Sequence, residues 1–146
     1  MKFSAFAVVA LVATLTGCAA SGPKHAEVAS TFPTLAADQG RVYFYRPNSM
    51  MGAALQPSIK LDGVVVGESK PGGFFYVDTT AGAHEASTST ETENKLSFVV
   101  DKGEVKYVRT RVSMGVLVGH VTPVLVNTTE GSAEIAETSY TGKPVK

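Results

Sequence analysis

The chain holds a single cysteine, Cys18, and the residues before it decide what its thiol can do. Thr16, Gly17 and Ala19 are small, so the peptide bond before Cys18 is open to a protease, and the thiol is the best nucleophile available for taking up a lipid. Other chemistry-bearing side chains are scattered. His84 and His120 have no Cys or His at metal-ligand spacing, so no metal is expected, and each is read as a strand residue satisfied by the backbone. No Gly-x-Ser-x-Gly elbow is present. Neither Gly72-Gly73 nor the Gly115 to Gly119 segment leads into a Lys-Ser or Lys-Thr pair before a helix, which argues against a bound nucleotide. Asp62, Asp78, Glu85, Glu91 and Glu93 are the acids from which a glycan-cleaving pair would be drawn, yet Asp62 and Asp78 fall at turns. No catalytic residue is assigned.

The chain ahead of Cys18 has a basic start at Lys2 and an apolar run from Phe3 to Leu15. This is the layout of a secretory signal, and the run is shorter than the roughly 20 apolar residues of a spanning helix. A lone cysteine in an exported chain closes no internal disulfide, so modification best explains its position. The order Leu15-Thr16-Gly17-Cys18 resembles the lipobox of bacterial lipoproteins at all four positions. The resemblance implies cleavage between Gly17 and Cys18, a diacylglycerol thioether on Cys18 and an N-acyl chain on the new terminus. Multiple acyl chains hold a protein to a membrane stably where one is marginal. Ala19 after the cysteine, in place of Asp, resembles lipoproteins passed to the outer membrane of enterobacteria-like cells, for a host with two membranes.

Residues 1–17 are therefore expected as a signal peptide, 18–39 as the lipidated cysteine and a flexible tether, and 40–146 as one β-sandwich domain. The tether reading rests on a segment rich in Ala, Ser and Thr with two prolines and no sustained period of 2 or 3.6. Such a segment of about 20 residues reaches about 25 Å, and His25 within it is read as solvated. With 13 basic and 13 acidic residues and no basic block, the composition argues against nucleic acid. The membrane is the expected partner through lipid, with no other cofactor.

From Gly40 onward the pattern is that of strands. Arg41 to Arg46 alternates Val42 and Phe44 with Tyr43 and Tyr45, which predicts a strand covered on both faces. Asp62-Gly63 between SIKL and VVVG predicts a type I′ hairpin. Phe74 to Val77, Ala83 to Thr90, the alternating Leu96, Phe98 and Val100, Val105 to Ser113, and about Val116 to Val126 complete seven or eight strands. Gly131 to about Ser139 reads as one short helix. The expected class is an all-β antiparallel sandwich, immunoglobulin-like or prealbumin-like.

Four features offer binding. The uncharged loop from Pro47 to Pro57, with Met50, Met51 and Leu55, either folds over the core or presents an adhesive surface. Tyr43 and Tyr45 either line a ligand face or belong to the core. Arg109 and Arg111 share one strand face and pair either with a partner's carboxylate or phosphate or with Glu85 or Glu104. Gly115 and Gly119 suggest a bulge or a close backbone approach.

The runs GRVYFYRP (Gly40 to Pro47), LDGVVVG (Leu61 to Gly67), GGFFYVD (Gly72 to Asp78), Ala81-Gly-x-His84 and KGEVKYVR (Lys102 to Arg109) together resemble small bacterial lipoproteins of the domain of unknown function 2846 family. The resemblance implies a β-sandwich behind a lipobox and brings no biochemistry. The functional expectation is a non-enzymatic, lipid-anchored envelope protein that binds or scaffolds another envelope or cell-wall component. The alternative is a wall-active hydrolase or an inhibitor of one.

Overall fold

The computed structural model describes residues 17–143, so most of the expected signal lies outside the described residues. Among the described residues, nine strands form two sheets. β1 (Gln39–Tyr45), β4 (Gly73–Thr80), β7 (Val105–Ser113), β8 (His120–Val126) and β9 (Ser139–Tyr140) build one sheet in the order β8-β7-β1-β4-β9. β2 (Ser58–Leu61), β3 (Val64–Glu68), β5 (Gly82–Ser89) and β6 (Glu93–Val100) build the other in the order β3-β2-β5-β6. The expected sandwich is present, but its larger sheet is mixed: β1 pairs parallel to β7, and β4 parallel to β9. β9 is a two-residue strand, too short to leave a periodic signal.

The alternation in β1 explains the layering. Val42 and Phe44 enter the space between the sheets, where they meet Ile59, Leu61, Phe75, Ala86, Phe98, Val100 and Val108. Tyr43 and Tyr45 enter a second apolar layer on the outer face of the larger sheet, with Phe32, Phe74, Tyr107, Val126 and Ile135. That outer layer is roofed by α1 (His25–Val28), a 3₁₀ turn (Ala29–Thr31) and α2 (Thr128–Ala136). The strand is thus buried on both faces, as its two apolar faces predict.

The Asp62-Gly63 turn has φ of 51° and 81°, the left-handed conformation that a type I′ hairpin requires. α2 begins three residues before its expected start, because Asn127 caps it by accepting a hydrogen bond from the Glu130 N–H at 2.9 Å. The last long strand begins at His120, not Val116, and residues 116–119 form a loop.

The flexible tether is corrected. Ala20 N–H donates to the Pro71 carbonyl at 2.9 Å, Tyr140 N–H to the Pro23 carbonyl at 2.8 Å, and Lys24 bridges to Ser139. Phe32 is buried against Tyr76 and Tyr140. His25 is not solvated but meets the Tyr43 and Phe74 rings edge-on at 5.6 and 5.2 Å, and its burial lowers its pKa. A segment with no period docks because it lends a few single anchors, His25, Val28 and Phe32, to an apolar face that β1 and β4 already offer.

Candidate functional site

Cys18 lies at one end of the sandwich. The pairs Tyr45↔Phe74, Ser58↔Glu68, Ser89↔Glu93 and Ser113↔His120 close their ladders there, so the β1–β2, β3–β4, β5–β6 and β7–β8 connections gather at that end. Cys18 is exposed, and its carbonyl accepts a hydrogen bond from Gln56 Nε2 in the β1–β2 loop at 2.9 Å. Ala20 is already fastened to Pro71 in the β3–β4 turn.

The β1–β2 loop is held from within by Arg46. Its side chain is 2% exposed and donates to the carbonyls of Leu55 (2.5 Å), Gly52 (2.7 Å), Ser69 (3.1 Å) and Met51 (3.3 Å). The planar guanidinium has five N–H donors, so it can serve several carbonyls from one position. Burial lowers its pKa from the ordinary arginine range. With the carbonyls turned inward, Met50 and Met51 point out, 90% and 59% exposed. Neither methionine folds over the core, while Leu55 is partly buried.

The β7–β8 loop is held by Glu91, from the β5–β6 turn. The N–H groups of Val116 (3.2 Å), Leu117 (2.9 Å), Val118 and Gly119 (2.7 Å) all donate to its carboxylate. These bonds, those of Val118 and Gly119 foremost, bring its pKa down to about 2. The loop folds this closely because Gly115 has no side chain: a Cβ there would lie 2.2 Å from Glu91 Oε1. The close approach expected at Gly115 and Gly119 is therefore real, and its object is a carboxylate. Val116, Leu117 and Val118 project outward, 91%, 88% and 61% exposed.

The remaining sequence candidates divide. Met51, Arg109 and Arg111 line one groove of about 440 Å³ with Arg46, Pro47 and Ser49. Arg109 does not pair with Glu85 or Glu104; it bonds Glu130 and Glu134 of α2 at 2.8 Å each, while Arg111 is exposed. Tyr43 and Tyr45 line no ligand face. They are buried, Tyr43 stacking on Tyr107 at 5.5 Å and Tyr45 donating its hydroxyl to Glu134. The sequence reading missed Arg46 and Glu91 as loop anchors. A charged residue closing a strand before Pro47, and a small-flanked apolar pentapeptide at Gly115 to Gly119, are the traces they leave.

At the opposite end, Asp62 Oδ2 meets His84 Nδ1 at 2.6 Å, and His84 Nε2 meets the Thr80 carbonyl at 2.8 Å. Both partners are acceptors, so the ring satisfies both best as an imidazolium. Burial alone lowers the His84 pKa, but the bonds to Asp62 and Thr80 outweigh it and raise it. Asp62 Oδ1 also accepts the Glu85 N–H at 2.9 Å, and its pKa falls despite the desolvation that opposes this. Arg41 grips Asp78 with two bonds of 2.7 and 2.8 Å and donates to the Pro33 carbonyl. Of the other acids, Glu85 and Glu93 both neighbour Lys95. Among the described residues, no three His, Cys, Asp or Glu side chains converge, and no helix is long and apolar enough to cross a membrane.

A family model described as a protein of unknown function, DUF2846, matches residues 36–123. A protein of Haemophilus influenzae described as uncharacterized is 28% identical over 139 residues, spanning 92% of this chain and 82% of the relative. No solved structure matches significantly.

Proposed function

The chain belongs to the DUF2846 family, and from that premise we propose that it is a lipid-anchored envelope protein whose sandwich acts by contact. The observation that carries this reading is the placement of Cys18. It follows a signal-like segment with lipobox spacing, and its side chain is exposed at one end of the domain, where an attached lipid meets no steric obstacle. The lipid would be a diacylglycerol thioether with an N-acyl chain, and the membrane is the first partner. Ala19 after the cysteine, in its resemblance to lipoproteins passed to the outer membrane, supports that placement in a host with two membranes.

Contact is favoured over turnover because the candidate acids are engaged. Asp62 is bound to His84, Asp78 to Arg41, Glu85 to Lys95, and Glu91 to four backbone amides, so each of these spends its charge on a partner within the fold. The test is intact mass of the native membrane-extracted protein, expected to begin at Cys18 with the lipid attached. A Cys18→Ala form should leave the lipid-anchored fraction. A bare thiol, or turnover of purified peptidoglycan by the native protein, would overturn the reading.

A further inference from the structure

We infer that the apolar rim made by Met50, Met114, Val116, Leu117 and Val118 seats itself in the headgroup and upper acyl region of the bilayer that holds Cys18. The inference rests on the lipid-anchored reading and adds to it an orientation and a second point of membrane contact. Its first support is reach. Ala20 is bonded to Pro71, so Cys18 and Ala19 alone separate the lipidated sulfur from the docked chain. Two extended residues span about 7 Å. The end of the domain that bears Cys18 therefore faces the membrane, and interfacial segments sink about 5 to 10 Å into the headgroup and acyl boundary.

The second support is what stands on that end. Met50 is 90% exposed, Met114 85%, Val116 91% and Leu117 88%, a density of bare apolar side chains that water does not favour. The two loops are joined: a Cβ on Gly119 would meet Leu55 Cδ1 at 3.1 Å, and Leu55 precedes the Gln56 that touches Cys18. Lipid imposes a further demand, since backbone donors left without partners there are costly. The loop meets it, because four consecutive N–H groups are turned to Glu91. Arg111 and Lys70 stand at the same end and suit lipid phosphate, with Glu68 the acid beside Lys70.

The chain has no tryptophan, so one introduced residue reports its own surroundings. The lipidated protein carrying Leu117→Trp is reconstituted into vesicles of phosphatidylethanolamine and phosphatidylglycerol, part of the lipid brominated near the top of one acyl chain. Val99→Trp, on the outer face of β6, is the reference, and Met50→Trp is the second reporter. Emission from Leu117→Trp and Met50→Trp should be blue-shifted and quenched several-fold more than that from Val99→Trp. Adding Val116→Asp and Val118→Asp to Met50→Trp should abolish most of that quenching while the lipid stays attached. Equal quenching at the three positions on a protein whose mass shows the lipid would overturn the seating and leave the anchor intact. Shielding of Leu117→Trp from an aqueous quencher without bromine quenching would mean that a second copy of the chain covers the rim and would overturn it too. A bare thiol on Cys18 would overturn both.

Discussion

At the end of the sandwich that carries the Asp62-Gly63 turn, ionised side chains answer one another, whereas at the Cys18 end two of them, Arg46 and Glu91, are spent on the main chain. Asp62 meets His84 and Asp78 meets Arg41. Arg46 and Glu91 instead take carbonyl and amide groups from two loops, so the outward side chains of those loops are free to be apolar. The difference teaches where solvent is expected. Paired charges with a half-exposed Asp62 suit an end that stays in water, while a rim with satisfied backbone and bare methionine, valine and leucine suits a medium without it.

The sharpest way to break this comparison is to remove Arg46. Arg46→Met keeps the apolar stem and strands the carbonyls of Met51, Leu55 and Ser69 without a donor, Gly52 keeping only the Leu55 N–H, at a cost of about 3 kcal/mol or more. Arg46→Lys should recover only part, since an ammonium lacks the planar fork. Urea unfolding monitored by circular dichroism checks both. A loss of under about 1 kcal/mol for Arg46→Met would mean the loop does not depend on that side chain.

The opposite end should give next. Arg41→Ala leaves the partly buried Asp78 without its cation and uncovers Phe32 and Tyr76, over which the guanidinium lies at 5.8 and 4.4 Å. A loss of about 2 kcal/mol is expected, with faster hydrogen exchange in the docked segment around Phe32. If unfolding moves while that exchange does not, Arg41 supports the sheet alone and does not hold the segment.

A smaller effect is set by pH, and the two histidines oppose one another in it. The His84 pKa is raised, so its contribution is fully present below the unfolded value of 6.5 and is lost as pH rises through the folded value. Asp62 is lowered, so the pair also weakens as pH falls through the folded Asp62 value, below the ordinary 3.8. His25 is lowered by burial, so its part is lost as pH falls below 6.5. His84→Gln should remove a decline in stability above neutrality of at most about 1 kcal/mol, small because Asp62 is 49% exposed and water screens the pair. His25→Leu should leave that decline in place. Unfolding midpoints from pH 5 to 9 separate the two, and a His84→Gln profile parallel to the parent would remove His84 from the account.

How far the residues disclose all this depends on whether the signal is local. Asp62-Gly63 was legible because positive φ at two adjacent positions admits few residue types, and β1 because its two apolar faces both need cover. The docking of residues 20–35 was not, since it depends on single anchors such as Phe32 meeting a face assembled from β1 and β4. Glu91 and its loop lie about 25 positions apart, and an acid whose partners are amides leaves no complementary charge to find. Arg109 pairs with a helix for the same reason: the topology, not the strand alternation, chooses its neighbours.

The last test separates holding a loop from holding a domain. Glu91 sits at the surface, so its four bonds fix the local course of the chain far more than they resist global unfolding. Glu91→Ala should leave the urea midpoint nearly unchanged while amide exchange at Val116 to Gly119 speeds by about tenfold or more, as opening there no longer breaks four bonds. Glu91→Gln keeps one carbonyl oxygen and so should protect only part of the set. Because these amides hold the carboxylate pKa near 2, their bonds should persist well below the usual carboxylate range and be lost together as pH falls through about 2. Their amide resonances should therefore shift with one shared midpoint near 2. A midpoint near the ordinary 4.5 would mean the carboxylate does not gather them, and the rim at the Cys18 end would lose the feature that distinguishes it from any exposed apolar loop.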